Sequence, residues 1–229
     1  MKSGAIVILV VIGMGFFFSG GKAMQNQEQS RVIELAQPRT ESSVSLEAAL
    51  QQRRSIRSFQ EKPVSLAAVS QLLWAAQGVT HGSGFRTVPS AGALYPLEVY
   101  VVAGNVAGLA AGIYHYRAQQ HVLVQIASGD HRQDLYRAAL RQSAIGSAPL
   151  SFVIAGIPGR TNGKYGDRGM RYVSMEAGHA AQNLCLQAVA LELDSVVIGA
   201  FSDREVGNML QLGKEGMPLY IIPVGKEEV

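Results

Sequence analysis

The sequence predicts an α+β domain in which helices cover a mixed sheet. Three observations carry this. Helical stripes recur at three- and four-residue spacing, apolar strand-like runs lie between them, and the two kinds of segment alternate irregularly. A regular strand–helix–strand series would predict a parallel doubly wound sheet instead.

In chain order, Ser45 can cap a helix through Leu46, Ala49, Leu50 and Arg53. Ser65 can cap a second, with stripe Leu66, Val69, Leu72, Leu73 and Ala76 and a stop at Gly78. Residues 79–96 are rich in Gly, Ser and Pro and predict loop. Leu97–Val102 reads as a strand, and Gly112–Tyr116 with His121–Ile126 as a hairpin across Arg117–Gln120. Asp130–Gln142 predicts one helix, Leu150–Ile157 a buried strand, and Arg168–Leu191 a long helix of small and apolar residues. Ser195–Ile198 reads as a short strand. Ser202-Asp203-Arg204-Glu205 is a capping box that opens a helix, and Pro218–Val224 is a final strand.

With 229 residues, 48% hydrophobic and 16% charged, the chain has room for one large domain with its own core. Cys185 is the only cysteine, which excludes an intrachain disulfide and a cysteine zinc cluster. Lys and Arg number 20 against 17 acidic residues; without Lys2 and Lys22 the balance is 18 to 17. So small an excess gives no argument for nucleic-acid binding.

Lys2 precedes an unbroken apolar run from Gly4 to Phe18, and small residues follow to Ala23. This pattern predicts a signal peptide over residues 1–23 and an exported, extracytoplasmic protein. An uncleaved membrane anchor is the alternative, but at ~1.5 Å per residue the run falls short of a ~30 Å hydrocarbon core. Residues 24–44, polar and irregular with Pro38, read as a linker, and 45–229 as the domain.

No dinucleotide fingerprint, Walker A loop or Gly-x-Ser-x-Gly elbow occurs. Glu176 and His179 form half of a carboxylate-bridged metal motif with no second copy, so His179 and Asn183 are expected to hydrogen-bond within packed helices. Arg53, Arg54, Ser55 and Arg57 put three guanidiniums and a hydroxyl within five residues, which suits a phosphate. A solvated helix end is the bland alternative. Pro89-Ser90-Ala91-Gly92 offers small residues through which backbone can approach a flat ligand. Gly199, at a strand end, can present a free N–H.

Arg53–Phe59, Pro89–Tyr100, Gly112–Tyr116, Glu176–Asn183 and Val197–Phe201 together resemble, in that order, the nitroreductase family. They look most like its branch of SagB-type, azoline-oxidising dehydrogenases, and the likeness runs from about Leu46 to Lys226. The resemblance implies a three-layer fold with a mostly antiparallel sheet and an FMN-dependent homodimer with the flavin at the subunit interface. It places Arg53 and Ser55 at the phosphate and ribityl chain, Arg57 near the N1/O2 edge of the ring, and Lys226 near the phosphate. Pro89, Ser90 and Ala91 would reach the flavin across the interface, and Gly199 and Ala200 would turn backbone N–H groups toward N5 and O4. Lys164-Tyr165 resembles the pair that removes a proton in azoline oxidases; a cation next to a phenol stabilises the anion a base requires. Plain nitroreductases do without the pair, and a loop pair with no catalytic part is the alternative. Leu191–Asp194 departs from the family's Gly-rich turn.

The expected substrate is a small nitro compound or quinone, or a peptide azoline, with NAD(P)H as the usual reductant. Export would separate the enzyme from that soluble donor. A module that grips flavin or another phosphorylated ligand without turnover is the competing class.

Overall fold

The computed structural model describes residues 31–228. The proposed signal or anchor at 1–23 and most of the expected linker's first residues lie outside them.

The elements are β1 (Val32–Glu34), α1 (Leu46–Gln52), β2 (Val64–Ser65), α2 (Leu66–Gln77), β3 (Leu97–Ala103), β4 (Val106–Ala107), β5 (Gly112–Arg117), β6 (Val122–Ser128), α3 (Arg132–Ala138), α4 (Ser143–Ser147), β7 (Leu150–Gly156), α5 (Gly159–Tyr165), α6 (Gly169–Ala190), β8 (Asp194–Ser195), α7 (Asp203–Met209) and β9 (Met217–Gly225). Seven strands form one sheet in the order β1-β6-β5-β3-β7-β9-β8. Its ladders are antiparallel. Among the described residues, parallel pairing is confined to β2 with β4 and to a bridge between Ser55 and Ser195.

The sheet is covered on both faces, which explains why β3 and β7 are largely apolar on both. Val99, Val101 and Ala103 of β3 and Phe152 and Ile154 of β7 pack under α2 and α6. The alternate residues Tyr100, Val102, Val153 and Ala155 pack under α3, α4 and α7. The result is the expected three-layer arrangement. Ser45 and Ser65 cap α1 and α2, accepting from Ala48 N and Ala68 N. Ser202 caps α7. β9 tolerates Pro218 and Pro223 because its outer neighbour β8 is only two residues long, leaving most of that edge without a ladder to feed.

Four expectations change. The expected linker contributes the edge strand β1, paired with β6 through Ile33 and Leu123. Beyond it, Gln71 of α2 clamps Arg39, accepting from its N–H at 2.8 Å and donating to its carbonyl at 3.0 Å. The helix expected over Asp130–Gln142 is two helices, α3 and α4, broken by left-handed Leu140 and Arg141 at φ 57°. The Ala138 carbonyl is taken by Ser202 N at 2.8 Å, so the chain turns there and buries Ala144 and Ile145. Residues 159–165, to which the sequence assigned no element, form α5, whose Thr161 is fully buried. The strand expected at Ser195–Ile198 reduces to β8 plus a single bridge from Ile198 to Ile221.

The Leu191–Asp194 turn closes α6 without glycine. Glu192 takes the left-handed conformation at φ 56°, and Leu193 N reaches back to Ala188 O at 2.9 Å. No helix among the described residues is long and apolar enough to cross a membrane.

Candidate active site

After α1 the chain leaves helical geometry at Arg53 and runs along the β8 edge. Ile56 N donates to Ser195 O at 3.1 Å, and Gln60 N donates to Lys226 O at 2.9 Å. Arg53, Arg54, Ser55, Arg57 and Lys226 therefore share one end of the sheet. Arg53 is half-buried; Arg54, Ser55, Arg57 and Lys226 are exposed. Arg54 donates to the carbonyls of Gln51 and Arg53, both at 2.8 Å, and Arg57 to that of Ser55 at 3.3 Å. Among the described residues none of these four cations pairs with a carboxylate. An unneutralised set of guanidinium forks fits a phosphate group by its donor chemistry. Gly199 and Ala200 follow the Ile198 bridge and are exposed; the Ala200 carbonyl is held by Gln142 at 2.8 Å.

The second group is built around the loop before β3. A short 3-10 turn spans Ala91–Ala93, with Gly92 left-handed at φ 64°. Ser90 accepts from Tyr95 N at 2.9 Å, closing the loop on itself. Glu176, only 4% exposed on α6, accepts from Ala91 N at 2.9 Å and ties Pro89–Ala91 to the helix layer. His179 is exposed rather than hydrogen-bonded between helices, whereas Asn183 donates to Ala75 O and Thr87 O as expected.

Lys164 and Tyr165 end α5 against this loop. Lys164 Nζ lies 5.5 Å from the centre of the Tyr165 ring, and Tyr165 meets Tyr172 edge-on at 5.0 Å. A Cβ on Gly92 would stand 2.9 Å from both Lys164 Nζ and Tyr165 Oη. One chain thus brings the Lys-Tyr pair onto the Pro89–Pro96 loop.

Behind it lies a network that sequence reasoning missed. Glu98 accepts from His115 at 2.7 Å and from Arg160, while Arg160 also donates to Tyr95 O at 3.0 Å. Burial pushes the Glu98 carboxyl up, but hydrogen bonds and charge from His115 and Arg160 outweigh it, and the net effect is below the usual value. Tyr100, stacked on His115 at 4.5 Å, is raised to about 12 by burial and by the Glu98 charge. The alternation in β3 could have placed Glu98 and Tyr100 on one face; nothing in the sequence pairs them with Arg160.

The two groups stand at opposite ends of the sheet. Ser195 pairs with Val224 and Val224 with Leu150, whereas Leu97, next to the loop, pairs with Gly156. The six steps of β7 from Leu150 to Gly156 separate the ends by about 20 Å. Within one chain the structure does not bring Arg53, Ser55, Arg57 and Lys226 to Pro89, Ser90 and Ala91.

This three-layer fold, with a cationic sheet edge and a glycine-rich loop before β3, defines a nitroreductase-type oxidoreductase. The chain belongs to the nitroreductase family, whose model matches residues 50–226. It is 46% identical over 184 residues to a nitroreductase homologue of Methanocaldococcus jannaschii, covering 80% of this chain and 92% of that one. The crystal structure of a nitroreductase homologue from Ralstonia eutropha superposes with TM-score 0.77 at 30% identity, covering 87% and 90% of the two chains. A chain of the Escherichia coli microcin synthetase McbBCD complex with truncated pro-MccB17 bound is similar with TM-score 0.67 at 25% identity, over 96% and 85%. That likeness lies on the SagB-type, azoline-processing side of the family.

Proposed function

We propose that this chain is an FMN-dependent oxidoreductase acting as a homodimer. The observation that carries the reading is the cationic edge at Arg53–Arg57 and Lys226, whose four cations pair with no carboxylate among the described residues, set about 20 Å along the sheet from the loop that the family resemblance puts over the same flavin. A second copy supplies the missing half. Bound FMN would supply a carrier that accepts or releases hydride.

Arg53, Arg54, Ser55 and Lys226 would hold the phosphate and ribityl chain. Arg57 would stabilise negative charge at the N1/O2 edge, and the N–H groups of Gly199 and Ala200 would face N5 and O4. Pro89, Ser90 and Ala91 of the partner subunit would cover the ring and exclude water. Tyr165 Oη is the atom that takes a substrate proton, with the Lys164 ammonium stabilising negative charge there. The microcin synthetase neighbour, with truncated pro-MccB17 bound, supports a peptide azoline as substrate. The archaeal and bacterial nitroreductase homologues support a small nitro acceptor, and the family resemblance adds quinones as acceptors and NAD(P)H as donor. Residues 1–23 would carry the body out of the cytoplasm or anchor it, which an alkaline phosphatase fusion to residues 1–45 tests: an inactive fusion means the body stays inside.

Purified protein should be yellow, bleach with dithionite, and scatter light as about twice the 24.5 kDa chain mass. Lys164→Met and Tyr165→Phe should each lower azoline dehydrogenation by about 100-fold or more while FMN stays bound. Protein that takes up no FMN overturns the reading. Flavin retained with no turnover on any acceptor leaves only a binding module.

A further inference from the structure

A cavity of about 240 Å³ opens between β3, the β5–β6 turn and α5, lined by Gln77, Arg86, Glu98, Tyr116, Arg117 and Arg160 among others. It holds three guanidiniums and one carboxylate. That carboxylate is already engaged by His115 and Arg160.

Arg86 is the innermost of the three. Its guanidinium sits 4.6 Å over the Tyr95 ring, and Nη1 donates to Gln77 at 2.7 Å. Its Nε is buried and has no partner among the described residues. Burial and the like charge of Arg160 lower the Arg86 pKa, with the Glu98 charge opposing them. Arg117 is exposed at the rim and has no carboxylate partner among the described residues. A buried donor with no protein partner and an excess of positive charge are both met by one ligand chemistry.

We propose that this cavity binds an oxyanion, a carboxylate or phosphate on the molecule whose other end reaches Lys164 and Tyr165. Arg160 and Lys164 are four residues apart on α5, which places them as neighbours ~5–6 Å apart at Cβ. Arg160 also grips Tyr95 O, in the loop whose Gly92 abuts Lys164. A neutral acceptor could meet the Arg86 Nε donor but would leave the charge excess, and a cationic group would meet neither; a planar carboxylate or a phosphate meets both, accepting from guanidinium forks. The site is at the other end of the sheet from Arg53 and Lys226, so it does not duplicate the proposed flavin phosphate site. The inference rests on the proposed function only in naming the reacting pair it serves.

The test is titration of the full-length protein, as purified, with succinate and separately with pyrophosphate, following the arginine Nε–Hε resonances by NMR. A saturable shift of the Arg86 resonance is expected, identified by its loss in Arg86→Lys. Arg117→Gln, at an exposed side chain, should keep the fold and weaken binding about tenfold. Arg53→Gln should leave it unchanged. Saturation by succinate alone assigns a carboxylate ligand, and by pyrophosphate alone a phosphate-bearing donor. No saturable shift with either probe overturns the proposal, as does binding that survives Arg117→Gln undiminished or disappears in Arg53→Gln. Because no flavin signal is read, these outcomes are independent of whether FMN binds.

Discussion

Gly92 stands against Lys164 so closely that a Cβ added to the glycine would lie 2.9 Å from the lysine Nζ. Tyr165 Oη is at the same distance. Both atoms are tips of flexible side chains, so they can move aside at little cost to the fold, but not without leaving their positions. Gly92→Ala should therefore cost stability only about 1–2 kcal/mol, from the left-handed backbone, while displacing the Lys-Tyr pair. Turnover of an azoline substrate should fall at least as far as in Tyr165→Phe. Thermal midpoint and turnover measured together check this; unchanged turnover would separate the loop from the reaction.

Arg53→Ala should weaken FMN binding by about 1.5–3 kcal/mol, the scale of a lost charge-assisted hydrogen bond. Flavin retained through gel filtration is the measurement. Full occupancy in the variant would remove Arg53 from the site.

Glu176 is buried and accepts the Ala91 N–H. Glu176→Ala leaves that donor unmet and should destabilise the fold by about 1–3 kcal/mol. Glu176→Gln keeps an acceptor oxygen and should cost less. Denaturant unfolding of both variants is the check, and a Gln variant as unstable as the Ala variant would contradict the hydrogen bond to Ala91.

Glu98 sets the acid limit of the α5 end. Its folded carboxyl lies below the unfolded value, so its stabilisation is complete above about pH 4.3 and is lost as pH falls through the folded pKa. The gap in thermal midpoint between wild type and Glu98→Gln should be constant near neutrality and close as the pH drops below that point. A gap independent of pH would contradict the ion-paired carboxylate.

Glu192 occupies a left-handed position that a side chain strains. Glu192→Gly should stabilise the fold by about 0.5–1 kcal/mol, the relief of that strain less the added chain entropy of glycine. Equilibrium unfolding is the check.

Much of this was legible locally. Capping serines at 45, 65 and 202 and the apolar period placed α1, α2 and α7, because a cap and a stripe are properties of neighbouring residues. The alternation at Leu97–Val102 and the largely apolar run at Leu150–Ile157 marked two central strands, the second of them as buried. The order of five motifs pointed to the family and to the cationic set Arg53–Arg57.

Tertiary structure decided the rest. β1 lies in a polar stretch and exists because β6 offers it an edge. The break between α3 and α4 follows from a carbonyl claimed by Ser202, and α5, with glycines at 159 and 163, is held by burying Thr161. Glu98, Arg160 and Arg86 converge from separate elements, Glu98 contacting an arginine 62 residues away. Local pattern records which face a residue takes. Only the register of β3 against β7, and the packing of α5 on their ends, determines which charges meet, because the free energy of pairing depends on distances that no sequence interval encodes.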